Sequence, residues 1–320
     1  MTTCVSTAPL PSLPGSAIPT LCVYNPSHTH VAVSNGSQVV VTSIREGLVE
    51  YPDDGFAGTA STSGAVVLDE YTTRSHGRVT GICFLDGHHG FVLACGTETG
   101  GVMVCGVGVG VGEVIRYSTS GVVCMERVGG VHSTMVAVGY ADGLVRIFAC
   151  GSVGLRLHSV LQSPAGVAAG CVGGSEGVAE GGGVLLVGYS GQSGSFLRGY
   201  RYDVRRYRWE DESLGIDVCG GEGRGRISAI SWAPLMGRGE ALVAVAVGQV
   251  VRLYGLKGEV GVSVDVREVA ELDCGAEVVG VGWNLVGTWL AVSTVKNEVS
   301  MWRADLAGEW RAFNRIVGQG

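Results

Sequence analysis

The last third of this chain is one passage written twice. Residues Arg226 to Gly258 read RISAISWAPLMGRGEALVAVAVGQVVRLYGLKG, and Glu277 to Trp310 read EVVGVGWNLVGTWLAVSTVKNEVSMWRADLAGEW. In each copy a short alternating strand ends in an aromatic, Trp232 or Trp283. A turn carrying Pro or Gly follows, then a run of small aliphatics and a tight polar turn. The copy closes on an alternating strand that ends in Tyr254 or Trp302. A unit of this size cannot bury its apolar faces alone, so it must stack on copies of itself. Repeats of about 50 residues with three or four short strands each predict an all-β propeller.

The same rhythm runs upstream. TLCVY, HVAVS, QVVVTSI and AVVLDEY form the first unit, with Asn35-Gly36 as a strong hairpin signal between the second and third strands. RVTGICFLD, FVLACGTE, GVMVCGVG and EVIRYST form the second; VVCMERV, TMVAVGY, LVRIFAC and LRLHSVL the third. AGVAAGCVGG, GVLLVGYSGQ, SFLRGYRYD and RRYRWEDE form the fourth, while DVREVAELD and EWRAFNRIV complete the two copies first described. The second-hairpin turns fall near Gly36, Gly100, Gly143, Gly194, Gly248 and Asn297. Only the first interval is long, and a loose stretch from 46 to 64 reads as a loop insertion that explains it. The expected organisation is a flexible lead over residues 1–16, with three prolines, and one six-bladed domain over 17–318. A sandwich has no reason to repeat a four-strand unit.

Composition removes several function classes. The net charge is −7, and 20 of the 22 basic residues are Arg, so the chain lacks the basic footprint of a general nucleic-acid surface. Gly is extreme at 54 residues, without a Gly-X-Y period, which excludes collagen. The ten cysteines are scattered with no C-x-x-C pair, and most lie in aliphatic runs, as do Cys83, Cys95 and Cys105. That pattern reads as buried reduced thiols rather than disulfides or a zinc site. The N-terminus has no basic stretch leading into an apolar run, which predicts no secretory leader. The longest apolar run, Ala241 to Val247, is too short for a transmembrane segment. A cytosolic or nuclear protein is the expectation.

No motif carries catalysis, a metal or a cofactor. GVGVGVG, Gly106 to Gly112, resembles a phosphate-cradling loop only superficially, because a strand pattern follows it rather than a helix. Ser190 in GYSGQSG lacks the second glycine of a nucleophile elbow. His28 and His30 could share a strand face, but no cysteine or carboxylate at ligand spacing joins them. The acidic groups Asp53-Asp54 and Glu210-Asp211-Glu212 read as solvated connections. Arg205, Arg206 and Arg208 beside Tyr207 and Trp209 form the one basic-aromatic patch, which fits phosphate, an acidic partner or simply an outer strand. The third-strand aromatics Phe148, Tyr202, Tyr254 and Trp302 fit packing roles in each blade. They stand where WD repeats carry their signature dipeptide, which is eroded here to Phe148-Ala149, Tyr202-Asp203, Tyr254-Gly255 and Trp302-Arg303.

Two phrases go further. Trp232-Ala-Pro234-Leu-Met-Gly237-Arg238, followed by ALVAVAVGQVVRLYGLK, resembles the fifth blade of Seh-one-like nucleoporins in the Sec-thirteen/Seh-one WD-repeat family. The Trp283-Asn start, the Gly-Thr-x-Leu-Ala turn and Trp302 with Trp310 look like that family's last blade. The resemblance covers roughly the last 90 residues. It implies an open six-blade propeller completed by a short sheet from a helical scaffold nucleoporin, inserted between the first and last blades. Unpaired strand edges are templates for such addition. The residues then bordering the gap would be Leu21, Val23, Tyr24, Trp310 and Phe313. By implication the chain is a non-enzymatic structural subunit of the Y-complex at the nuclear pore and nuclear envelope, supporting protein and mRNA transport, with other Y-complex subunits as partners. Alternatives are a Sec-thirteen-like cage of vesicle coats at the endoplasmic reticulum, a lysosome-associated signalling pool, and a closed propeller acting as a peptide-binding adaptor.

Overall fold

The structure, a computed structural model, describes residues 21–24, 30–34, 38–43, 67–72, 77–87, 90–106, 110–111, 114–129, 134–151, 154–162, 168–174, 183–191, 194–212, 225–235, 238–257 and 265–318. The proposed lead at 1–16, the insertion at 46–64, Asp53-Asp54, Gly237 and the histidines other than His30 and His158 lie outside them.

Six antiparallel sheets follow one another among the described residues, and in five of them every strand pairs with its neighbour in sequence. The first holds β1 (Leu21–Tyr24), β2 (His30–Ser34), β3 (Gln38–Ser43) and β4 (Val67–Thr72). The second holds β5 (Val79–Gly87), β6 (Gly90–Thr97), β7 (Gly101–Gly106) and two short strands, β8 (Gly110–Val111) and β9 (Ile115–Arg116). The third is β10 (Val122–Gly129), β11 (Thr134–Tyr140), β12 (Val145–Gly151) and β13 (Gly154–Leu161). The fourth is β14 (Ala168–Gly174), β15 (Val184–Gly191), β16 (Gly194–Asp203) and β17 (Arg208–Glu212). The fifth is β18 (Ile227–Trp232), β19 (Ala241–Val247), β20 (Val250–Lys257) and β21 (Asp265–Asp273). The sixth is β22 (Val278–Trp283), β23 (Trp289–Thr294), β24 (Glu298–Ala304) and β25 (Trp310–Val317).

The turn chemistry explains the spacing. In the four second-hairpin turns that are described, a residue takes the left-handed conformation: Gly100, Gly143, Gly248 and Asn297. Gly adopts it without a Cβ penalty, and Asn is among the few side chains that tolerate it. The second sheet departs from expectation. EVIRYST was expected as one outer strand, but β7 pairs with two short pieces, Gly106 opposite Gly110 and Val102 opposite Ile115. Glycines crowded at this hairpin weaken a continuous ladder.

The inner strands β1, β5, β10, β14, β18 and β22 stand side by side in that order. In the last five sheets the inner strand carries a bulge near its start, at Val79/Gly81, Val122/Cys124, Ala169/Cys171, Ile227/Ala229 and Val278/Gly280. The repeated bulge makes positions comparable from sheet to sheet: Glu126, Gly173, Ser231 and Gly282 are equivalent.

Between adjacent sheets lie five apolar seams. Ala32 and Val39 meet Phe84 and Leu93 in the first. Leu85 and Val102 meet Val136 and Phe148 in the second. Ile147 and Val145 meet Leu185 and Tyr202 in the third, with Trp209 at its outer end. Leu186 meets Ile230 and Tyr254 in the fourth. Ala244 and Leu253 meet Leu290, Val292 and Trp302 in the fifth. Burial of this apolar surface is the main force holding sheet to sheet. The third-strand aromatics therefore fill seams.

Candidate functional site

A sheet in the middle of such a row is covered on both faces. β19 shows this: every residue from Ala241 to Val247 is buried. β23 occupies the same place in the sixth sheet, yet its burial alternates. Leu290, Val292 and Thr294 are buried, while Trp289, Ala291 and Ser293 between them are only half-buried. One face of the sixth sheet packs on the fifth. Among the described residues no apolar cluster covers the other face, and β22 makes no contact with β1 like those between successive inner strands.

The pairing registers assemble that open face. Across it run Gly282 and Ala291 with Met301 and Asn314, and then Gly280 and Ser293 with Val299. At one end Trp289 lies opposite Arg303, and Arg303 opposite Arg311. Phe313 sits edge-on to Trp289, ring centroids 6.4 Å apart, and the Arg303 guanidinium lies 4.9 Å above its ring. Cation–π contact holds the guanidinium in place without neutralising it. Phe313 remains 44% exposed and Ile316 51% exposed. Arg311 pairs with Asp305 and Glu309, and Arg315 with Glu298. Arg303 has no carboxylate among the described residues.

The floor of the face is a hollow. A β-carbon placed on Gly282 would meet nothing within 4 Å, and one on Gly280 would meet only Ser293 Oγ of its own sheet. At the equivalent positions of inner sheets the space is filled. A β-carbon on Gly173 would lie 2.5 Å from Ile230 Cγ2 of the next sheet, and one on Gly81 would lie 2.9 Å from Met125 Cγ. Glycine there admits a neighbour's side chain, and in the sixth sheet that neighbour is missing from the described residues.

A second recurrent contact ends in the same way. Trp232 donates its indole N–H to the Gly173 carbonyl at 3.0 Å, and Trp283 donates to the Ser231 carbonyl at 3.0 Å. Each bond crosses a seam to the equivalent residue of the preceding sheet. The Gly282 carbonyl is next in this series, and among the described residues no side chain donates to it.

Leu21 and Val23 pack in the first seam, against the second sheet. Tyr24 pairs with Val31 through the backbone, and its side chain is outside the described set. Trp310 stacks edge-on to Trp283, centroids 5.7 Å apart, in the seam with the fifth sheet. Phe313 lies on the open face. Trp302 donates to Ser300 Oγ at 2.8 Å. Arg238 ties the fifth sheet to the sixth by donating to the Gly287 carbonyl, beside the Pro234 carbonyl. Sequence inspection missed Gly280, Gly282, Trp289 and Arg303, because WLAVST opens on four apolar residues much as ALVAVAV does, and its alternating burial leaves no polar-apolar mark in the sequence.

The other candidates resolve into structure. Arg206 and Arg208 both bind Glu210, and the Arg205 and Arg206 amides donate to Asp203, which holds Trp209 in its seam and leaves Arg205 exposed. These arginines hold the Glu210 carboxyl below the usual carboxylate range. His158 contacts Ser159 Oγ and the Tyr202 ring, and burial lowers its basicity. Cys83 and Cys95 are buried, and burial, with Asp273 adjacent, pushes the Cys274 thiol up to about 11. Glu126 is the one carboxylate at the hollow-floor position of an inner sheet. It is half-buried, and burial pushes its carboxyl up to about 7, against the weaker pull of Arg127. Among the described residues there is no cluster of three or more metal-capable side chains, and no helix long and apolar enough to cross a membrane.

No protein-family model matches the sequence, and no curated protein matches it either. Solved structures do. The β-propeller domain of Cps50 (Swd1) from Myceliophteria thermophila aligns over 95% of this chain and 88% of its own, at TM-score 0.64 and 15% identity. A chain of a mitotic checkpoint complex aligns over 93% of this chain and 79% of its own, at TM-score 0.59 and 15% identity. At that identity the likeness is one of fold, and the fold of this chain is the all-β propeller.

Proposed function

We propose that this chain is a non-enzymatic scaffold or adaptor subunit of the WD-repeat kind, and that it binds another protein through the open face of its sixth sheet. One observation carries the reading: β23 is buried on one face where β19 is buried on both. An apolar, aromatic-lined face ending a row of stacked sheets marks a protein interaction surface. In this proposal the ring has six blades of its own and takes a further blade in trans. The finer reading follows the resemblance of Trp232–Arg238 and Trp283–Trp310: a Seh-one-like subunit of the nuclear pore, localised at the nuclear envelope and completed by a helical scaffold nucleoporin.

Val299→Glu, on the open face, is the test. The substituted chain should fold, and a tagged copy should lose the protein that co-purifies with the unsubstituted chain, together with its nuclear-rim signal. Unchanged co-purification would sink the docking face. An even cytosolic signal from the unsubstituted chain, with the partner retained, would remove the pore assignment and leave the scaffold reading standing.

A further inference from the structure

The seams inside the molecule state what the open face is shaped to receive. At the fourth seam an aliphatic knob, Ile230, enters the space over Gly173, and two residues later the Trp232 indole N–H reaches the Gly173 carbonyl. At the fifth, Trp283 repeats the indole bond on Ser231, again two residues after an aliphatic, Val281. The open face presents the same two acceptors in register, the space over Gly282 and the Gly282 carbonyl, both without an occupant among the described residues.

We infer that the occupant is a strand of a partner protein bearing a bulky aliphatic residue with a tryptophan two positions on, and a carboxylate placed to meet Arg303. This rests on the open face being a docking surface. A backbone carbonyl has two lone pairs, so it accepts an indole in addition to a strand partner. Arg303 supplies the electrostatic part: an exposed guanidinium stacked on Phe313 selects an anionic neighbour, because a carboxylate forms charge-assisted bonds with it. A second copy of this chain fits badly, since its own open face would bring hollow against hollow and Arg303 against Arg303. The chain's own first inner strand, Leu21-Cys22-Val23-Tyr24, contains no tryptophan.

The probe is a synthetic hairpin of residues 226–247, which carries Ile230 and Trp232, linked to a soluble carrier. Its binding to the full chain is followed by fluorescence anisotropy. The hairpin should bind, and Ile230→Ala in the probe should weaken it by about thirtyfold or more, as loss of a buried aliphatic predicts. Trp232→Phe keeps the bulk but removes the N–H, and should weaken binding by about fivefold to tenfold. In the chain, Gly282→Ile fills the hollow with no steric neighbour, so the chain should keep its circular dichroism and melting temperature while losing the probe. Arg303→Glu should favour a probe with an added lysine over one with an added aspartate, and the unsubstituted chain should show the reverse. No binding by the unsubstituted probe, or equal binding by the two probe variants or by Gly282→Ile, would overturn the inference. If Val299→Glu still abolishes recovery of the natural partner in that case, the docking face stands and only the assigned chemistry falls.

Discussion

The fifth and sixth sheets share a strand order, a bulge position and a tryptophan, yet they differ in what touches them. Ala244 and Ala291 make the point at one site. Each lies opposite the hollow-floor residue of its inner strand, Ser231 or Gly282. Ala244 is sealed in the fifth seam, whereas Ala291 is half-buried on an open face. The difference comes from position in the row, and on the proposed function it turns a structural repeat into a surface that can bind.

Substitutions at matched positions break or sharpen that contrast. The largest effect is expected from a charge. Ala244→Asp places an unpaired carboxylate in a dry seam and should cost about 4 kcal/mol or more, enough to prevent folding in a domain of ordinary stability. Ala291→Asp faces water and should cost less than about 1 kcal/mol, as surface changes do. Denaturant unfolding followed by tryptophan fluorescence checks both.

A methyl group should separate Gly173 from Gly282. Gly173→Ala drives a carbon into Ile230 and should destabilise by about 1–3 kcal/mol, whereas Gly282→Ala meets open space and should stabilise by a few tenths to about 1 kcal/mol through β-propensity. Calorimetric melting temperatures should move in opposite directions.

Glu126 gives a pH test at the same floor position. Its folded-state carboxyl is raised, so its contribution to stability is fully present below its unfolded value near 4.5 and is lost as pH rises through about 7. Glu126→Gln should therefore raise stability at about pH 8 by roughly 1–2 kcal/mol, change little near pH 5, and flatten the profile between. A parallel slope in both proteins would place the titrating group elsewhere. At the indole bonds, Trp283→Phe should cost about 1 kcal/mol for the lost hydrogen bond to Ser231, read as a lower melting temperature.

Much of the fold is legible in the residues, because strands and turns are local chemistry. ALVAVAVGQVVRLYGLK can only be two apolar strands around a tight turn, and the structure puts that turn at Gly248 and Gln249. Pairing between sheets is harder to read, since it depends on residues far apart. Trp310 and Asn314 illustrate this. Four positions apart on β25, they would share a face by alternation, but a register shift opposite Met301 and Trp302 puts Trp310 in a seam and pairs Asn314 with Met301 on the open side. A period-2 reading with no bulge assigns faces from spacing alone, and bulges reset them. The hollow at Gly282 was hidden for another reason. In a chain with 54 glycines, a glycine that matters for what it admits looks like all the others.

Thiol labelling tests the central claim most directly. Ser293→Cys and Ala246→Cys stand at matched positions of β23 and β19, opposite Gly280 and Ala229. Each can be treated with a maleimide in the native chain and read at the substituted site by peptide mass spectrometry. The cysteine at 293 should label within minutes, while the one at 246 should stay protected until the protein unfolds. Equal protection at both positions would show the sixth sheet covered on both faces, and would contradict the docking face on which the proposed function stands.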